Sequence, residues 1–462
     1  MSKGLRRRDF ILGAGVLGVS LSFGLGNAVT ERAETDSPNV RPNIDVLSTN
    51  PVRLGALEAA IKEMQDRSAK DPNDPKGWLV NAKAHADYCS VPNVNDPSQI
   101  HFCWWFLPWH RAYLSITEQK LQALSGDKTI SLPYWNWSSN RQIPAAFSRS
   151  GSPLAKAIRY TPNRQLIGSE VDADAKLRVG ALEAKIFLAT SPAEIGSSFG
   201  GIARPNLAEK YGNNRIEGVP HGPIHNYVGG ENQQGNIGDM TDFETAGRDP
   251  IFFAHHGNLD RLWEIWRLDP KHKAEEPATE AFLKHEFPFT WLDGTIVTVS
   301  VEKVLDTRQL GYEYDSLNVL SQNFHATMAE NLKGNPELPP VAVATVSMPK
   351  IPLALSNRPV RYGLEINGIT PPERPMTIEV QVKPVGTVGK SGVTIGTFAA
   401  VRSGGRIVFP DTNLSFDMSE AMRRFPGSQF TVWLVPLTLG TNQRPYPPLA
   451  YKAIRIRITP VQ

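Results

Sequence analysis

The chain holds ten histidines, and six of them fall into two groups: His85, His101 and His110, then His221, His225 and His256. The first group sits in the most aromatic stretch of the sequence, "HFCWWFLPWHRAYLSITE" at residues 101–118. Burying an imidazole among indoles is unfavourable unless each ring nitrogen finds a partner. A metal ion is the commonest partner for the lone pair of a neutral imidazole. His101 and His110 are nine residues apart, which on a single helix would leave them roughly half a circle out of alignment. His101 must therefore come from the preceding segment and fold back towards His110. In "HGPIH", His221 and His225 are four apart, so a helix entered through Pro220 and Pro223 carries both on one face. His256 heads the next long helix, with Asp260 one turn further on. Twice over, three histidines from two helices and a neighbouring segment make a three-coordinate nitrogen site.

Imidazole ligands with no carboxylate among them suit copper, zinc or iron. Because such ligands leave the metal charge uncompensated, a small redox change is favoured over hydrolysis. A zinc hydrolase would need a water-activating carboxylate among or beside the ligands. His272, His285 and His325 lie outside these patterns and are expected on the surface.

The elements that must position the histidines are helical. "RLGALEAAIKEMQDRSA" places Leu54, Leu57, Ile61 and Met64 at spacings of three and four, and "DPNDPKG" ends that helix. "HRAYLSITEQKLQAL" runs to a stop at Gly126, and Pro108 fits its first turn, where no backbone donor is needed. In "RDPIFFAHHGNLDRLWEIWRL", Asp249 is a good N-cap and Pro250 a good first helical residue. Residues 138–215 read as long loops over the helical core. Beyond about residue 335 the period changes to two: "TIEVQV", "QFTVWLV" and "AIRIRI" alternate apolar and polar positions. The sequence thus predicts a mainly α domain, a helix bundle with long loops over residues 29–335. A Pro-rich linker follows at 336–352, then an antiparallel β-sandwich at 353–462.

A hydrophobic content of 40%, a charged content of 21% and a net charge of +3 describe a globular chain. No basic run is interleaved with aromatics, so nucleic acid is not an implied partner. The two cysteines, Cys89 and Cys103, exclude a disulfide scaffold and a cysteine-based metal site. At the N-terminus, "RRRDFILGAGVLGVSLSFGLGNA" has the layout of a twin-arginine export signal, with a cleavage site after Ala28. It implies passage through the twin-arginine translocase to the periplasm or the exterior.

Together these motifs resemble the type 3 copper proteins of the tyrosinase, polyphenol oxidase and hemocyanin group, and most closely the plant-like polyphenol oxidase (catechol oxidase) arrangement, here read in a bacterial chain. His101, Phe106, His110, Arg111, Leu114 and Glu118 match the first-copper signature. Asp249, Pro250, Phe252, His256 and Asp260 match the second. "PVR" at 51–53, "LPYWNW" at 132–137, "TWLDG" at 290–294 and "GYEY" at 311–314 extend the likeness over residues 51–320.

The resemblance implies two copper ions, one on His85, His101 and His110 and one on His221, His225 and His256. His255 becomes a supporting neighbour. It also implies a thioether from Cys89 to His101, with Cys103 in core packing and a Cys89–Cys103 disulfide as the competing pairing. Glu217 would hold a water that acts as base, and Phe243 would form an aromatic gate. Gly222 stands where enzymes that hydroxylate monophenols well carry Asn, and Asn226 follows the second histidine instead. The implied activity is oxidation of o-diphenols to o-quinones with reduction of dioxygen to water, and weak monophenol hydroxylation. Small phenols and dioxygen are the implied partners, with the C-terminal domain as a shield. Hemocyanin-like oxygen carriage and o-aminophenol oxidation are the alternatives.

Overall fold

A computed structural model describes residues 38–89, 99–101, 103–162, 164–166, 170–171, 182, 184, 186–189, 198–203, 216–272, 279–318, 340–351, 353–356, 359–386, 392–403, 405–408, 413–425, 429–437 and 445–460. The export signal at 1–28 and His325 lie outside them. Among the described residues, no helix is long and apolar enough to cross a membrane.

Five helices frame the histidines. Helix α1 (Pro51–Lys70) starts where the Asn50 side chain accepts the Arg53 N–H with proline in the first turn, and it buries Leu54, Leu57, Ile61 and Met64. Helix α2 (Trp78–Cys89) buries Trp78, Ala82, His85 and Cys89. Those positions recur every three or four residues, so the spacing that turns Trp78 and Ala82 inward also turns in His85 and Cys89. Helix α3 (Phe106–Ser125) is buried on every side from Phe106 to Glu118 and stops at Gly126, whose φ of 73° is left-handed. Helix α4 (Gly222–Gly229) is buried throughout. Helix α5 (Ile251–Leu268) is buried all round from Ile251 to Glu264, as expected of a central helix. It begins one residue later than the sequence suggested, although the Asp249 carboxylate still accepts the Ile251 N–H at 3.0 Å.

A buried ionic hub locks α3 to α5. Asp260 accepts the Arg111 Nε–H at 2.5 Å and the hydroxyls of Tyr312 and Tyr314 at 2.6 and 2.5 Å. Arg41 lies over the Tyr312 ring and donates to Glu118, which ties the parallel strand pair Asn39–Arg41 and Tyr312–Tyr314 to the same hub. Arg111 and Asp260 therefore join the two helices.

The C-terminal part is two antiparallel sheets. With β1 (Ala342–Ser347), β2 (Val360–Asn367), β3 (Met376–Pro384), β4 (Val393–Ser403), β5 (Arg406–Val408), β6 (Asn413–Asp417), β7 (Gln429–Leu437) and β8 (Ala453–Pro460), the orders are β5-β4-β3-β7-β1 and β6-β2-β8. Val380 pairs with Leu434 and Val382 with Val432 in the larger sheet, and Leu364 pairs with Ile456 in the smaller. All six belong to one buried apolar cluster shared by the two sheets. The linker expected at 336–352 is corrected here: "AVATVS" within it is β1, pairing with β7. Its prolines lie outside that run, so nothing prevents ladder pairing.

Candidate dimetal site

The two histidine groups meet between α2, α3, α4 and α5. In the first, one ring nitrogen each of His85, His101 and His110 and the Cys89 sulfur lie within 4.8 Å of one another. The second holds His221, His225, His255 and His256 within the same limit. All seven histidines are buried. The His110 and His256 rings stack across the boundary at 4.1 Å, almost parallel. As the spacing argument required, His101 lies in the turn before α3, and its ring sits 5.3 Å from that of His110. His221 closes an irregular turn at Glu217–His221 and leads into α4, which carries His225.

Backbone carbonyls fix three of the rings. Nδ1 of His85 donates to the Phe243 carbonyl at 2.7 Å, Nδ1 of His110 to Phe106 at 2.8 Å, and Nδ1 of His225 to Met240 at 2.7 Å. A carbonyl only accepts, so each ring carries its proton on Nδ1 and turns the Nε2 lone pair to the site. Among the described residues, Nε2 of His85, His110 and His221 is buried without a hydrogen-bond partner, and Nε2 of His225 faces Nε2 of His256 at 3.3 Å. Burial drives the pKa of His110 down to about 3 and that of His225 to about 4, with the Phe106 and Met240 carbonyls opposing it. Burial likewise takes His85, His101, His221 and His256 well below the usual range. The rings are therefore neutral at ordinary pH, the form that binds a metal.

The remaining site residues surround this centre. The Phe243 ring stacks on His101 at 4.2 Å and 12° and lies within 6 Å of the His85, His221 and His225 rings. Glu217 is 2% exposed, on the turn that delivers His221. Cys89 and Cys103 are both buried, and no disulfide joins them. The Cys103 sulfur contacts the Ile100 carbonyl at 3.4 Å, in keeping with core packing. Burial raises the Cys89 thiol well above its usual pKa, and the Glu217 carboxylate adds in the same direction.

Two further groups have partners outside the histidine sets. Asn226 faces the C-terminal sheets: its Nδ2 donates to the Ala400 carbonyl at 3.0 Å and to Thr377 Oγ1 at 3.2 Å. His272, expected on the surface, is buried flat against Trp266 at 4.4 Å and donates to the Trp266 carbonyl; His285 is half-buried on Trp105 at 3.9 Å. Both imidazoles find apolar stacking partners that their sequence neighbourhoods do not reveal. Residues missed from sequence are the carbonyl acceptors Met240 and Phe243, the indole of Trp137, and strand β4. Of the three carbonyls only Phe106, four before His110 on the same helix, had a readable signal.

Neutral nitrogen donors in two buried groups, with no carboxylate among them, fit a dinuclear type 3 copper centre. Residues 75–176 and 195–269, which contain all six expected ligands, match the common central domain of tyrosinase. Polyphenol oxidase E, chloroplastic, from Solanum lycopersicum is 33% identical over 302 residues, which covers 61% of this chain and 51% of that one. Catechol oxidase B, chloroplastic, from Solanum tuberosum is 34% identical over 268 residues, or 55% and 45% of the two chains. The chain thus spans about half the length of the curated relatives it matches. The structure of latent apple tyrosinase superposes with a TM-score of 0.64 at 24% identity, over 92% of this chain and 97% of that one. The shared fold therefore takes in the C-terminal sheets as well as the residues that match the tyrosinase model.

Proposed function

We propose that this protein is a copper-dependent polyphenol oxidase that converts o-diphenols to o-quinones. Two diphenols give up four electrons and four protons, and one dioxygen becomes two waters. The observation that supports this most directly is the pair of buried, neutral histidine sets in contact through His110 and His256. His85, His101 and His110 would hold one copper, and His221, His225 and His256 the other. Bound there, copper supplies the redox couple between phenol and dioxygen. Phe243 presents an aromatic face over the ligands, against which a phenol ring can stack. Glu217 is the base candidate: it is buried on the turn that delivers His221, and its carboxylate would take the proton of the incoming hydroxyl through a water. Cys89 would be joined to His101 by a thioether, fixing the one ligand of the first set that no helix carries.

In this reading the tyrosinase-type domain runs to about residue 335, and the two C-terminal sheets form a sandwich that shields the site. Residues 1–28 direct export by the twin-arginine translocase to the periplasm or exterior. The relatives named above are chloroplastic, so translocation is common to both readings. The test is a quinone-formation assay over a panel of catechols, aminophenols and monophenols, with metal analysis of the same sample. Two coppers per chain and preferential catechol turnover are expected. Reversible dioxygen binding without turnover would make the chain a carrier, and one zinc per chain would end the copper reading.

A further inference from the structure

We infer that the C-terminal sheets also position the metal ligands, so that metal binding and docking of those sheets reinforce each other. The inference rests on the copper reading above. Its basis is one short segment, residues 239–243, that holds a ligand of each set. The Met240 carbonyl fixes His225, and the Phe243 carbonyl fixes His85. The same segment is docked on β4: Asp242 forms a parallel bridge with Arg402, the Phe243 N–H donates to the Arg402 carbonyl at 2.9 Å, and Arg402 Nε lies 3.4 Å from the Asp242 carboxylate. The next residue, Ser403, donates its hydroxyl to the Cys89 carbonyl at 2.7 Å, at the end of the helix that carries His85.

His85 is thus linked to β4 through a single residue, Phe243. Its Nδ1–H binds the carbonyl of Phe243, and the amide of Phe243 binds β4. When β4 leaves, that amide and the Cys89 carbonyl lose their sheet partners, and the segment that aims His85 and His225 is freer to move. Misaimed imidazoles bind metal less well. By linkage, the metal must then favour the docked sheets by the same factor. Phe243, Arg402 and Ser403 are positioning residues in this scheme, acting through His85 and His225.

The test uses the full-length chain with and without copper. Hydrogen exchange followed by mass spectrometry should show peptides covering 239–243 and 399–403 exchanging at least about five-fold faster in the metal-free form, a modest coupling by the usual scale. Peptides from α1, which carries none of the clustered histidines, should change little. In parallel, the Arg402→Ala/Ser403→Ala double variant should surrender copper to excess chelator about five-fold faster than wild type. Equal exchange at 399–403 in the two forms, in a protein that takes up two coppers per chain, overturns the inference and leaves the copper reading standing. Equal protection of α1 and β4 also overturns it, because metal then stabilises the whole fold without distinction. A chain that takes up no copper defeats the copper reading instead. The wild-type exchange comparison needs no variant, so a misfolded double variant does not rescue the idea.

Discussion

Trp137 donates its indole Nε1–H to Nδ1 of His255 at 3.2 Å. That contact separates two adjacent histidines which are equally buried and both near the second set. With Nδ1 accepting, a neutral His255 must carry its proton on Nε2, which leaves no lone pair there for a metal. His256 has no such constraint, and its Nε2 faces that of His225. His256→Gln is therefore expected to lose one copper and all measurable turnover. His255→Gln should retain both metals and lose on the order of ten-fold in activity, as supporting residues of metal sites typically do. Copper content measured on the two variants decides the assignment, and the reverse pattern would exchange the two roles.

The thioether makes a second prediction. The Cys89 sulfur lies within 4.8 Å of one ring nitrogen each of His85, His101 and His110, and it is not paired with Cys103. A digest of the copper-loaded, aerated protein should contain the Cys89 and His101 peptides as one species, lighter than their sum by two hydrogens. An alkylatable Cys89 in that sample would rule the link out.

What could be read from sequence follows where burial is one-sided. Helix α1 and strands β3, β7 and β8 each have an apolar and a polar face, so their periods showed. Strand β4, "VTIGTFAAVRS", is buried at nine of its eleven positions because it is covered by the C-terminal core on one side and by α4 on the other. A strand covered on both faces has no alternation to detect. The ligand histidines were legible because metal chemistry restricts residue type and spacing. The carbonyls of Met240 and Phe243 were not, since any residue supplies a carbonyl and only the tertiary fold decides which one is near.

Lys120 gives a prediction about pH. It is buried on α3 and donates to Asn81 Oδ1 at 2.9 Å, and burial lowers its pKa to about 8. An unfolded lysine titrates near 10.4. Below pH 8 both states are protonated and the folded state bears the full cost of the buried charge. Between the two values the folded lysine is already neutral, so stability rises with pH through that window, by about 3 kcal/mol in all. Lys120→Met should raise the midpoint of denaturant unfolding at pH 7 and remove the rise. The Thr117 hydroxyl remains for Asn81 Oδ1. A wild-type midpoint that does not increase between pH 8 and 10 contradicts this account.

Shielding by the C-terminal sheets predicts latency. Ala399 and Val401 of β4 lie against Gly222, next to His221, and Arg374 pairs with Glu231 at 2.9 Å to hold the sheets beside α4. A protease site inserted between Asp315 and Val341 should, once cut, raise catechol turnover several-fold, and mild detergent should do the same. Cutting within β1 is the poorer choice, because that strand is part of the larger sheet. Equal activity before and after cutting would mean that the sheets are structural only.

Gly222 sets the last prediction, which concerns monophenols. A Cβ built there would meet Ala399 Cβ at 3.1 Å, with the Glu217 carbonyl at 3.6 Å and Val401 Cγ1 at 3.9 Å. The missing side chain thus has two consequences. It withdraws the amide that would help Glu217 polarise a water, and it makes room for β4. Asn226 does not replace that amide while the sheets are docked, because Ala400 and Thr377 hold it. Wild type should accordingly oxidise catechols strongly and hydroxylate the matching monophenols weakly or with a lag. In Gly222→Asn, Ala399 must give way by a few tenths of an ångström, so docking of β4 should weaken and latency should fall. The gain in the monophenolase to diphenolase ratio should then be largest after the linker is cut. If wild type handles tyramine as readily as dopamine before cutting, Gly222 is not the determinant. If it does so only after cutting, Asn226, released from Ala400 and Thr377, becomes the residue to replace next.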